Sequence, residues 1–479
     1  MVFSIEERKD NLKLLNKLLE TEKTSICQAL YNDLHKPIFE SIYLEIKQVQ
    51  HEIQYHLDNL DEWISENIFI NPLRYLTLFL TGYGQAYIES KPRGNSLIIG
   101  AWNYPINLTL LPLVGSISAG NDTIVVFPAL DYTPNTSKLL VKLFTKYFDN
   151  RYISAEIGGK ENVEKLLEIK WDFIFFTGSS SVGKSIYQQA AKQLTPVVLE
   201  LGGKSPCIVD EQSNMKLLIK RILWGKLTNC GQTCISPDYF LVNKQYGNKF
   251  IKIMIDTLKD FYTDIKTSKD YGRIVNLRAF KRIENIINLD SNFIEYGGKS
   301  DVIDLYIHPT IINFKNNKDA FINSASMKDE IFGPIIPIYL YDNISEVYDI
   351  IKKYPDPLVA YLFTKEWKSI EKEIKAGSIV VNDTLIQMSS PLPFGGIGNS
   401  GIGQYHGKKT FDIFSYQMSK LVRYKYGELA VRFPPYNVQW KQKIIRFSQM
   451  IFSTKYLNKS LCYIKNILII YLLFFYFTH

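Results

Sequence analysis

The chain has 479 residues, of which 46% are hydrophobic and 22% charged, an ordinary globular composition with enough length for two or three domains. This composition excludes disorder over most of the chain. The formal net charge is +8, but the 56 basic residues are dispersed among 48 acidic ones without a basic block, so we predict no nucleic-acid partner.

The amino-terminal segment, residues 5–66, is predicted to be helical because its apolar residues recur at helical spacing. The residues that show this spacing are Leu12, Leu15, Leu18 and Leu19, and later Ile46, Val49, Ile53 and Leu57. From residue 75 to residue 99 the pattern changes to strand-like stretches at 76–80, 85–89 and 96–99, broken by glycine-containing turns. We expect these stretches to be hairpin arms.

Short apolar strands then alternate with helical segments, which is the pattern of βαβ units and a parallel sheet. The segments are strand 123–127, helix 136–148, strand 173–176, helix 182–193 and strand 196–199. A second alternating region, about 205–381, contains strand candidates at 239–242 and 335–340. We predict a domain boundary near Gly202, without internal repeats or a long linker.

The cysteines favour free thiols in a reducing compartment. They are Cys27, Cys207, Cys230, Cys234 and Cys462, an odd number without a CxxC pair or a His-containing metal spacing, so we predict no metal site. The sequence after Met1 does not read as a signal peptide. Cys27 and Cys207 lie in apolar contexts typical of core residues. For Cys230, core packing and an auxiliary thiol both remain open.

Two glycine-rich motifs compete as nucleotide sites. Gly178-Ser179-Ser180-Ser181-Val182-Gly183-Lys184-Ser185 fits the P-loop pattern after a strand and before a helix, which taken alone predicts a nucleotide triphosphatase. The same turn can hold a dinucleotide pyrophosphate, and the next strand ends in Glu200 rather than in the Asp that would help hold Mg²⁺. The GxGxxG match at 396–401 follows a Pro-Leu-Pro-Phe segment, so we interpret it as a tight turn rather than a cofactor loop.

A third candidate site combines Glu200 with Cys234. Cys234 lies among small and polar residues, and a catalytic thiol needs partial exposure and a nearby acid or base. Sequence spacing cannot show that these two side chains are close. A buried core cysteine and a surface glutamate are the alternative interpretations.

Several ordered motifs resemble the aldehyde dehydrogenase superfamily, and more closely its class 3, fatty aldehyde dehydrogenase branch. They are Asp33-Leu34-His35-Lys36-Pro37, Trp102-Asn103-Tyr104-Pro105, Phe176-Thr177-Gly178-Ser179, Glu200-Leu201-Gly202-Gly203-Lys204-Ser205-Pro206, Gly231-Gln232-Thr233-Cys234, Glu330-Ile331-Phe332-Gly333-Pro334 and Pro393-Phe394-Gly395-Gly396. The similarity runs from about Glu6 to Arg423. It implies that the P-loop match is a dinucleotide-binding turn.

The resemblance implies a role for each matching residue. Cys234 would be the nucleophile, Asn103 and the Cys234 N–H the oxyanion donors, and Glu200 the general base that activates water. Lys204 would position its loop. The cofactor-binding residues would be Thr177, Gly178, Ser179 and Gly183 along the nicotinamide and pyrophosphate, and Glu330 and Phe332 around the nicotinamide ribose.

One segment departs from the family pattern. The family usually has a Lys-Pro-Ser-Glu run whose Lys and Glu contact the adenosine ribose, whereas this chain has Phe127-Pro128-Ala129-Leu130. Because a 2′-phosphate would lose its expected cation, we predict NAD as the cofactor in preference to NADP.

The carboxyl-terminal tail predicts a membrane anchor. Residues 461–477 are apolar except for Lys465 and Asn466, and at about 1.5 Å per residue they span roughly 26 Å, the short limit for a bilayer. Basic residues precede them at Lys441, Lys443, Arg446, Lys455 and Lys459, as expected for a cytoplasmic membrane face. A buried or interfacial helix is the alternative. Class 3 membrane-bound relatives carry such tails, which implies lipid-derived aldehydes as substrates.

The predicted fold is α/β, with a Rossmann-like cofactor-binding domain at 1–202, including a bridging hairpin at about 73–95, and an α/β catalytic domain at 203–385. A return and bridging segment at 386–428, a basic tail at 429–460 and the anchor at 461–479 follow. The predicted function is NAD(P)-dependent oxidation of medium- to long-chain aldehydes by a membrane-anchored homodimer facing the cytoplasm, for example at the endoplasmic reticulum. A non-catalytic membrane-associated scaffold of the same fold and a P-loop triphosphatase are the alternatives.

Overall fold

The computed structural model describes residues 3–65, 67–68, 84–210, 213–423, 432–443 and 446. These residues fall into two compact units, one formed by Met1–Asp61 with Pro92–Tyr416 and one by Glu62–Lys91 with Gln417–His479. Numbered in chain order, the strands are β1 Asn67–Ile68, β2 Gly84–Pro92, β3 Asn95–Ile99, β4 Asp122–Phe127, β5 Ile153–Ile157, β6 Phe173–Thr177, β7 Val197–Glu200, β8 Pro206–Val209, β9 Tyr239–Asn243, β10 Ile294–Tyr296, β11 Ser300–Asp301, β12 Tyr306–Ile307, β13 Thr310–Asn313, β14 Ile335–Tyr341, β15 Val359–Phe363, β16 Ser378–Val381, β17 Gly401–Ile402 and β18 Ser415–Arg423.

The predicted helical amino terminus is confirmed. It consists of α-helices Ile5–Thr21, Lys23–Leu34, Ile38–Glu40 and Lys47–Ile64, with a π-helical stretch at Ser41–Ile46. A capping box between Ser4 and Glu7 begins the first helix, because each side chain accepts a backbone N–H of the other residue. Leu12, Leu15 and Leu18, part of the apolar spacing that predicted this helix, are fully buried.

A six-stranded sheet lies in the first unit, with strand order β17-β7-β6-β3-β4-β5. All pairs except β17 with β7 are parallel, and the helices that connect its strands are Asn107–Ala119, Pro134–Tyr147, Lys160–Glu168 and Ser180–Ala191. Because β6 and β7 are parallel, their carboxyl ends lie at the same edge of the sheet, and Thr177 at the end of β6 lies beside Glu200 at the end of β7.

The prediction of a hairpin arm at 96–99 is wrong. Residues 96–99 form most of β3, which pairs in parallel with β4 on one side and β6 on the other. Four consecutive residues of this strand are buried, as expected for a central parallel strand covered on both faces. A short apolar run looks the same in sequence whether its partner is the next strand or a distant one.

A seven-stranded sheet, also in the first unit, has the order β10-β13-β14-β9-β8-β15-β16 and is parallel except for β10. Its helices are Met215–Leu227, Gly247–Phe261, Leu277–Leu289, Lys318–Asn323, Ala325–Lys328, Ile344–Ile351 and Trp367–Ile370. The strands predicted at 239–242 and 335–340 are confirmed as β9 and β14. The domain boundary near Gly202 stays a prediction, and it falls between β7 of one sheet and β8 of the other.

The second unit contains most of a three-stranded sheet of order β1-β2-β18, in which β1 and β2 are antiparallel. The predicted strand at 85–89 is part of β2, whereas the predicted strand at 76–80 lies outside the described residues. None of the helices in the described ranges has the length and apolar character needed to cross a bilayer. The anchor predicted at 461–479 lies outside those ranges.

Candidate active site

Cys234 lies on a loop that follows the helix Met215–Leu227. Three successive residues of the turn before it, 229–231, have positive φ values of 52°, 56° and 76°, a conformation that side-chain-bearing residues rarely adopt. The Asn229 N–H donates to the buried carboxylate of Glu40 at 2.8 Å, which helps to hold this turn. The turn presents Cys234 at a site where two cavities meet.

The larger cavity is a cleft of about 520 Å³, and the smaller, which we call the tunnel, is mostly apolar and has a volume of about 60 Å³. The residues that line both are Leu108, Thr177, Glu200 and Cys234. The tunnel is otherwise lined mainly by Leu44, Tyr104, Trp224, Ile235, Leu385, Met388, Phe394 and Tyr405. The Cys234 sulfur can therefore contact an apolar molecule on one side and a larger, more polar one on the other.

Glu200 ends strand β7 and is buried, and its backbone is held by Gly178, whose N–H donates to the Glu200 carbonyl oxygen at 3.0 Å. Both carboxylate oxygens lack a hydrogen-bond partner among the residues that the structure describes. Burial raises the pKa of this carboxyl well above its usual range. A buried, unpartnered carboxyl beside a thiol is suited to accepting a proton from water or substrate.

Asn103 lies in the loop that follows β3, and its side chain is buried beside the Cys234 loop. One N–H of the side-chain amide donates to the Gln232 carbonyl oxygen at 3.1 Å. The amide has a second N–H, which this bond leaves for another acceptor. The Asn103 backbone carbonyl accepts from Asn229 at 2.9 Å, so the two loops are joined by reciprocal bonds.

The Cys234 side chain is half-buried, and the surface it exposes lines the two cavities. Burial raises the pKa of its thiol to about 12, and the nearby carboxyls of Glu330 and Glu200 act in the same direction. The backbone N–H groups of Cys234 and Ile235 oppose this shift by favouring the thiolate. The thiol is therefore protonated near neutral pH, and forming the thiolate requires a proton acceptor or a nearby positive charge.

The predicted cofactor turn lies at the carboxyl end of β6. Ser179 is the N-cap of the helix Ser180–Ala191, and its hydroxyl accepts the Val182 N–H at 3.5 Å. The Thr177 hydroxyl is buried in the cleft and has no hydrogen-bond partner in the described part of the chain. At Gly183, a Cβ would approach a Leu201 methyl to 2.6 Å, so the helix packs closer to the sheet than a side chain would allow. The unpartnered hydroxyl and the helix N-terminus fit an anionic dinucleotide.

Glu330 and Phe332 line the other wall of the same cleft. Burial raises the pKa of Glu330 to about 8, and the Asp238 carboxylate adds to this shift. The Phe332 ring contacts Trp102 edge to face with a centroid separation of 5.4 Å. Lys204, predicted to position its loop, donates to Asp238 and to the Asp329 carbonyl oxygen, next to Glu330.

Phe127 does not line the cleft, although Pro128 and Ala129 do. Its ring is fully buried and packs edge to face on Phe144, with centroids 5.3 Å apart. Leu130, at the position where the family has an acidic residue, is exposed. The part of the cleft beside Pro128 and Ala129 therefore receives no polar side chain from positions 127 and 130.

Sequence reasoning missed several residues of the site. Tyr405 lines the tunnel, and Arg278 and Arg282 line the cleft. Lys36 is buried and donates to the Asn103 carbonyl oxygen at 2.7 Å. Lys36 belongs to one of the motifs that carry the family resemblance, so the sequence did mark it. Its contact with Asn103 could not be predicted, because the two residues are 67 positions apart in the chain. Cys27 and Cys207 are buried, as expected for core residues, and Cys230, for which two interpretations were open, is buried too, whereas Cys462 lies outside the described residues.

Comparison with known proteins identifies the fold and family. The chain is 41% identical over 440 residues to aldehyde dehydrogenase family 3 comG of Dictyostelium discoideum, with 90% of each chain covered. It is 40% identical over 438 residues to the dimeric NADP-preferring aldehyde dehydrogenase of Mus musculus, covering 90% of this chain and 93% of the relative. A solved structure described as the substrate-bound state of Staphylococcus aureus AldH superposes with a TM-score of 0.87 at 39% identity, covering 93% and 95% of the two chains. The aldehyde dehydrogenase family matches residues 2–419, and the chain belongs to that family.

Proposed function

We propose that this protein oxidises medium- to long-chain aliphatic aldehydes to carboxylic acids with NAD(P), through a thioester on Cys234. Aldehyde oxidation is the activity of its family. The observation that carries the assignment is the position of Cys234 and Glu200 where the tunnel and the cleft meet. Family membership and this geometry favour oxidation over the scaffold and triphosphatase alternatives.

The proposed chemistry uses three residues of this chain. Cys234 attacks the aldehyde carbon as thiolate, and the resulting oxyanion accepts the free Asn103 N–H and the Cys234 backbone N–H. Collapse of this thiohemiacetal gives up a hydride, for which the bound dinucleotide would be the acceptor, and leaves a thioester on Cys234. Glu200 then takes a proton from water as the water attacks the thioester, which releases the carboxylic acid and the Cys234 thiolate.

The cofactor, when bound, supplies the hydride acceptor and a positive charge near the thiol. Ser179, Gly178 and Gly183 would hold the pyrophosphate at the helix N-terminus, and Thr177 would contact the nicotinamide half. Glu330 and Phe332 would contact the nicotinamide ribose from the opposite wall. We propose NAD as the preferred cofactor because Phe127 and Leu130 supply no cation for a 2′-phosphate, although one relative is named as NADP-preferring.

The tunnel supports an unbranched apolar aldehyde as substrate. Its volume of about 60 Å³ leaves less room for a branched chain than for a single extended one. Two of its lining residues, Gln48 and Ser389, share a solvent-exposed hydrogen bond of 3.2 Å, so part of its wall borders solvent. Large apolar side chains in the same segments are exposed, including Phe39 and Tyr43 before Gln48 and Ile386 before Ser389. Exposed apolar side chains in these segments suit a protein whose substrate partitions into lipid.

We expect NADH formation with straight-chain aldehydes, with kcat/KM rising by about fourfold for each added methylene until the tunnel is filled, since each buried methylene contributes about 0.8 kcal/mol. The measurement is NADH absorbance with aldehydes from butanal to hexadecanal, repeated with NADP, for which a lower kcat/KM is expected. The variant Leu44→Asn, in the tunnel, should weaken the length dependence, whereas Leu289→Asn, at an exposed position, should not. A kcat/KM independent of chain length in the unaltered protein would exclude the fatty substrate class.

We further propose that residues 461–479 anchor the protein in a membrane, with the catalytic part on the cytoplasmic side, and that the chain forms a homodimer. The support is the apolar run itself and the basic residues before it, such as Lys455 and Lys459. A membrane of the endoplasmic reticulum would supply lipid-derived aldehydes to a protein anchored in it.

The full chain is expected to float with phosphatidylcholine vesicles in a density gradient, because the tail buries its apolar side chains in the bilayer. A chain ending at Ser460 should remain at the bottom of the gradient while oxidising a water-soluble aldehyde at the same rate. Flotation of the shortened chain would assign membrane binding to another part of the surface.

A further inference from the structure

A fully buried ion pair lies beneath the loop that carries Asn103. The side chains of Lys36 and Glu45 are both 0% exposed, and the Lys36 Nζ is 2.5 Å from a Glu45 carboxylate oxygen. Burying such a pair costs more free energy than burying two apolar side chains of similar size. Its position therefore calls for an explanation other than stability.

The remaining hydrogen bonds of the pair are all directed at one short segment, residues 103–107. Lys36 donates to the Asn103 carbonyl oxygen at 2.7 Å, and its ammonium lies 4.0 Å from the centroid of the Tyr104 ring. The second Glu45 oxygen accepts the N–H groups of Ile106 at 2.9 Å and Asn107 at 3.1 Å. These two N–H groups are at the start of the helix Asn107–Ala119, so Glu45 caps this helix from a distance.

The same segment is joined to the nucleophile loop. The Asn103 carbonyl oxygen accepts both Lys36 and the Asn229 side-chain amide, while the Asn103 amide donates to the Gln232 carbonyl oxygen. The backbone of Asn103 is thus fixed by a cation on one side and by the Cys234 loop on the other. A shift of the carbonyl would also move the side-chain amide, which lines the same cleft as Cys234.

We propose that Lys36 is a positioning residue for aldehyde oxidation, which fixes the Asn103 backbone so that the free N–H of its amide faces the oxyanion formed at Cys234. The inference rests on the proposed function. Lys36 lines neither cavity, so it acts through Asn103 and not by touching the substrate.

The test is a double-mutant cycle in the full-length protein. We expect Lys36→Met to lower kcat by about 100-fold, the effect of misplacing a catalytic group by about 1 Å, with KM changed by less than about threefold. In an Asn103→Ala background, where the oxyanion donor is already lost, adding Lys36→Met should lower kcat by less than about threefold. Equal losses in both backgrounds would overturn the proposal, because Lys36 would then act independently of Asn103.

Two further variants separate positioning from folding. Lys36→Met leaves the buried Glu45 unpaired, so Lys36→Met with Glu45→Gln removes the charge while an amide oxygen still accepts the N–H groups of Ile106 and Asn107. This double variant should fold, as judged by circular dichroism and Tm, and its kcat should still be about 100-fold lower than that of the unaltered protein. A folded double variant with wild-type kcat would overturn the proposal. Arg8→Met removes another buried cation that donates to a backbone carbonyl, that of Ser118, and should lower Tm without lowering kcat.

The activity of the unaltered protein separates a failure of the proposed function from a failure of the role of Lys36. Absence of aldehyde oxidation by the wild-type chain would contradict the proposed function. Oxidation by the wild-type chain with undiminished kcat in Lys36→Met would contradict only the role of Lys36.

Discussion

Replacing Cys234 with serine is expected to lower the kcat of aldehyde oxidation by about 10⁴-fold or more, while binding of NAD is retained. The thiol already has a pKa raised to about 12 by burial, so thiolate formation depends on the other groups at the site. A serine hydroxyl, which is a far weaker acid, would not ionise in the same surroundings. The measurements are steady-state NADH formation and calorimetric titration with NAD.

The matched control is Cys230→Ser, four positions earlier on the same loop. Cys230 is fully buried and lines neither cavity, so this variant should keep kcat within about threefold of the unaltered protein. Undiminished turnover in Cys234→Ser would remove Cys234 from the mechanism. If both variants bind NAD and only Cys230→Ser loses activity, the nucleophile has been assigned to the wrong cysteine.

The variant Glu200→Gln is expected to release one NADH per subunit in a burst and then to turn over about 10²- to 10⁴-fold more slowly. The reason is that hydride transfer precedes hydrolysis, so loss of the base traps the thioester on Cys234. Rapid-mixing absorbance measures the burst, and mass spectrometry of the quenched protein measures the acyl adduct. Absence of the burst would instead assign Glu200 to removal of the thiol proton.

The pH dependence follows from the raised pKa of Glu200. The base acts only as carboxylate, so the kcat of the unaltered protein should rise with pH through this raised pKa, and Glu200→Gln should lose that rise. The free energy of unfolding should change with pH in the opposite direction. A carboxyl whose pKa is raised by folding contributes its full stabilisation below its pKa in the unfolded chain, and this stabilisation is lost as the pH rises through its pKa in the folded protein. Glu164→Gln, at an exposed position, should change neither profile.

Much of the secondary structure could be predicted because its signals are local. The strands expected at 123–127, 173–176 and 196–199 were found within two residues as β4, β6 and β7. The partner of a strand is not a local property, and the prediction for 96–99 failed for that reason. The sequence separates β3 from its neighbour β6 by more than 70 positions, yet the two are paired directly.

Candidate residues of the site could be chosen from the sequence one by one, but their surroundings could not. Cys234, Glu200 and Asn103 stand in recognisable motifs, whereas the tunnel beside them is formed by side chains from segments far apart in the chain. The sequence also showed that Phe127 replaces a lysine. Only the structure shows that its ring lies in the core against Phe144, away from the cleft.

The tunnel and the cleft share the side chains of Leu108, Thr177, Glu200 and Cys234 and otherwise have separate walls. Under the proposed function, the preference among aldehydes and the preference between NAD and NADP therefore depend on different residues. We expect substitutions at Leu44 or Met388 to alter the range of aldehydes without changing the preference between the two cofactors. We expect substitutions near Ala129 to alter that cofactor preference while the range of aldehydes stays the same.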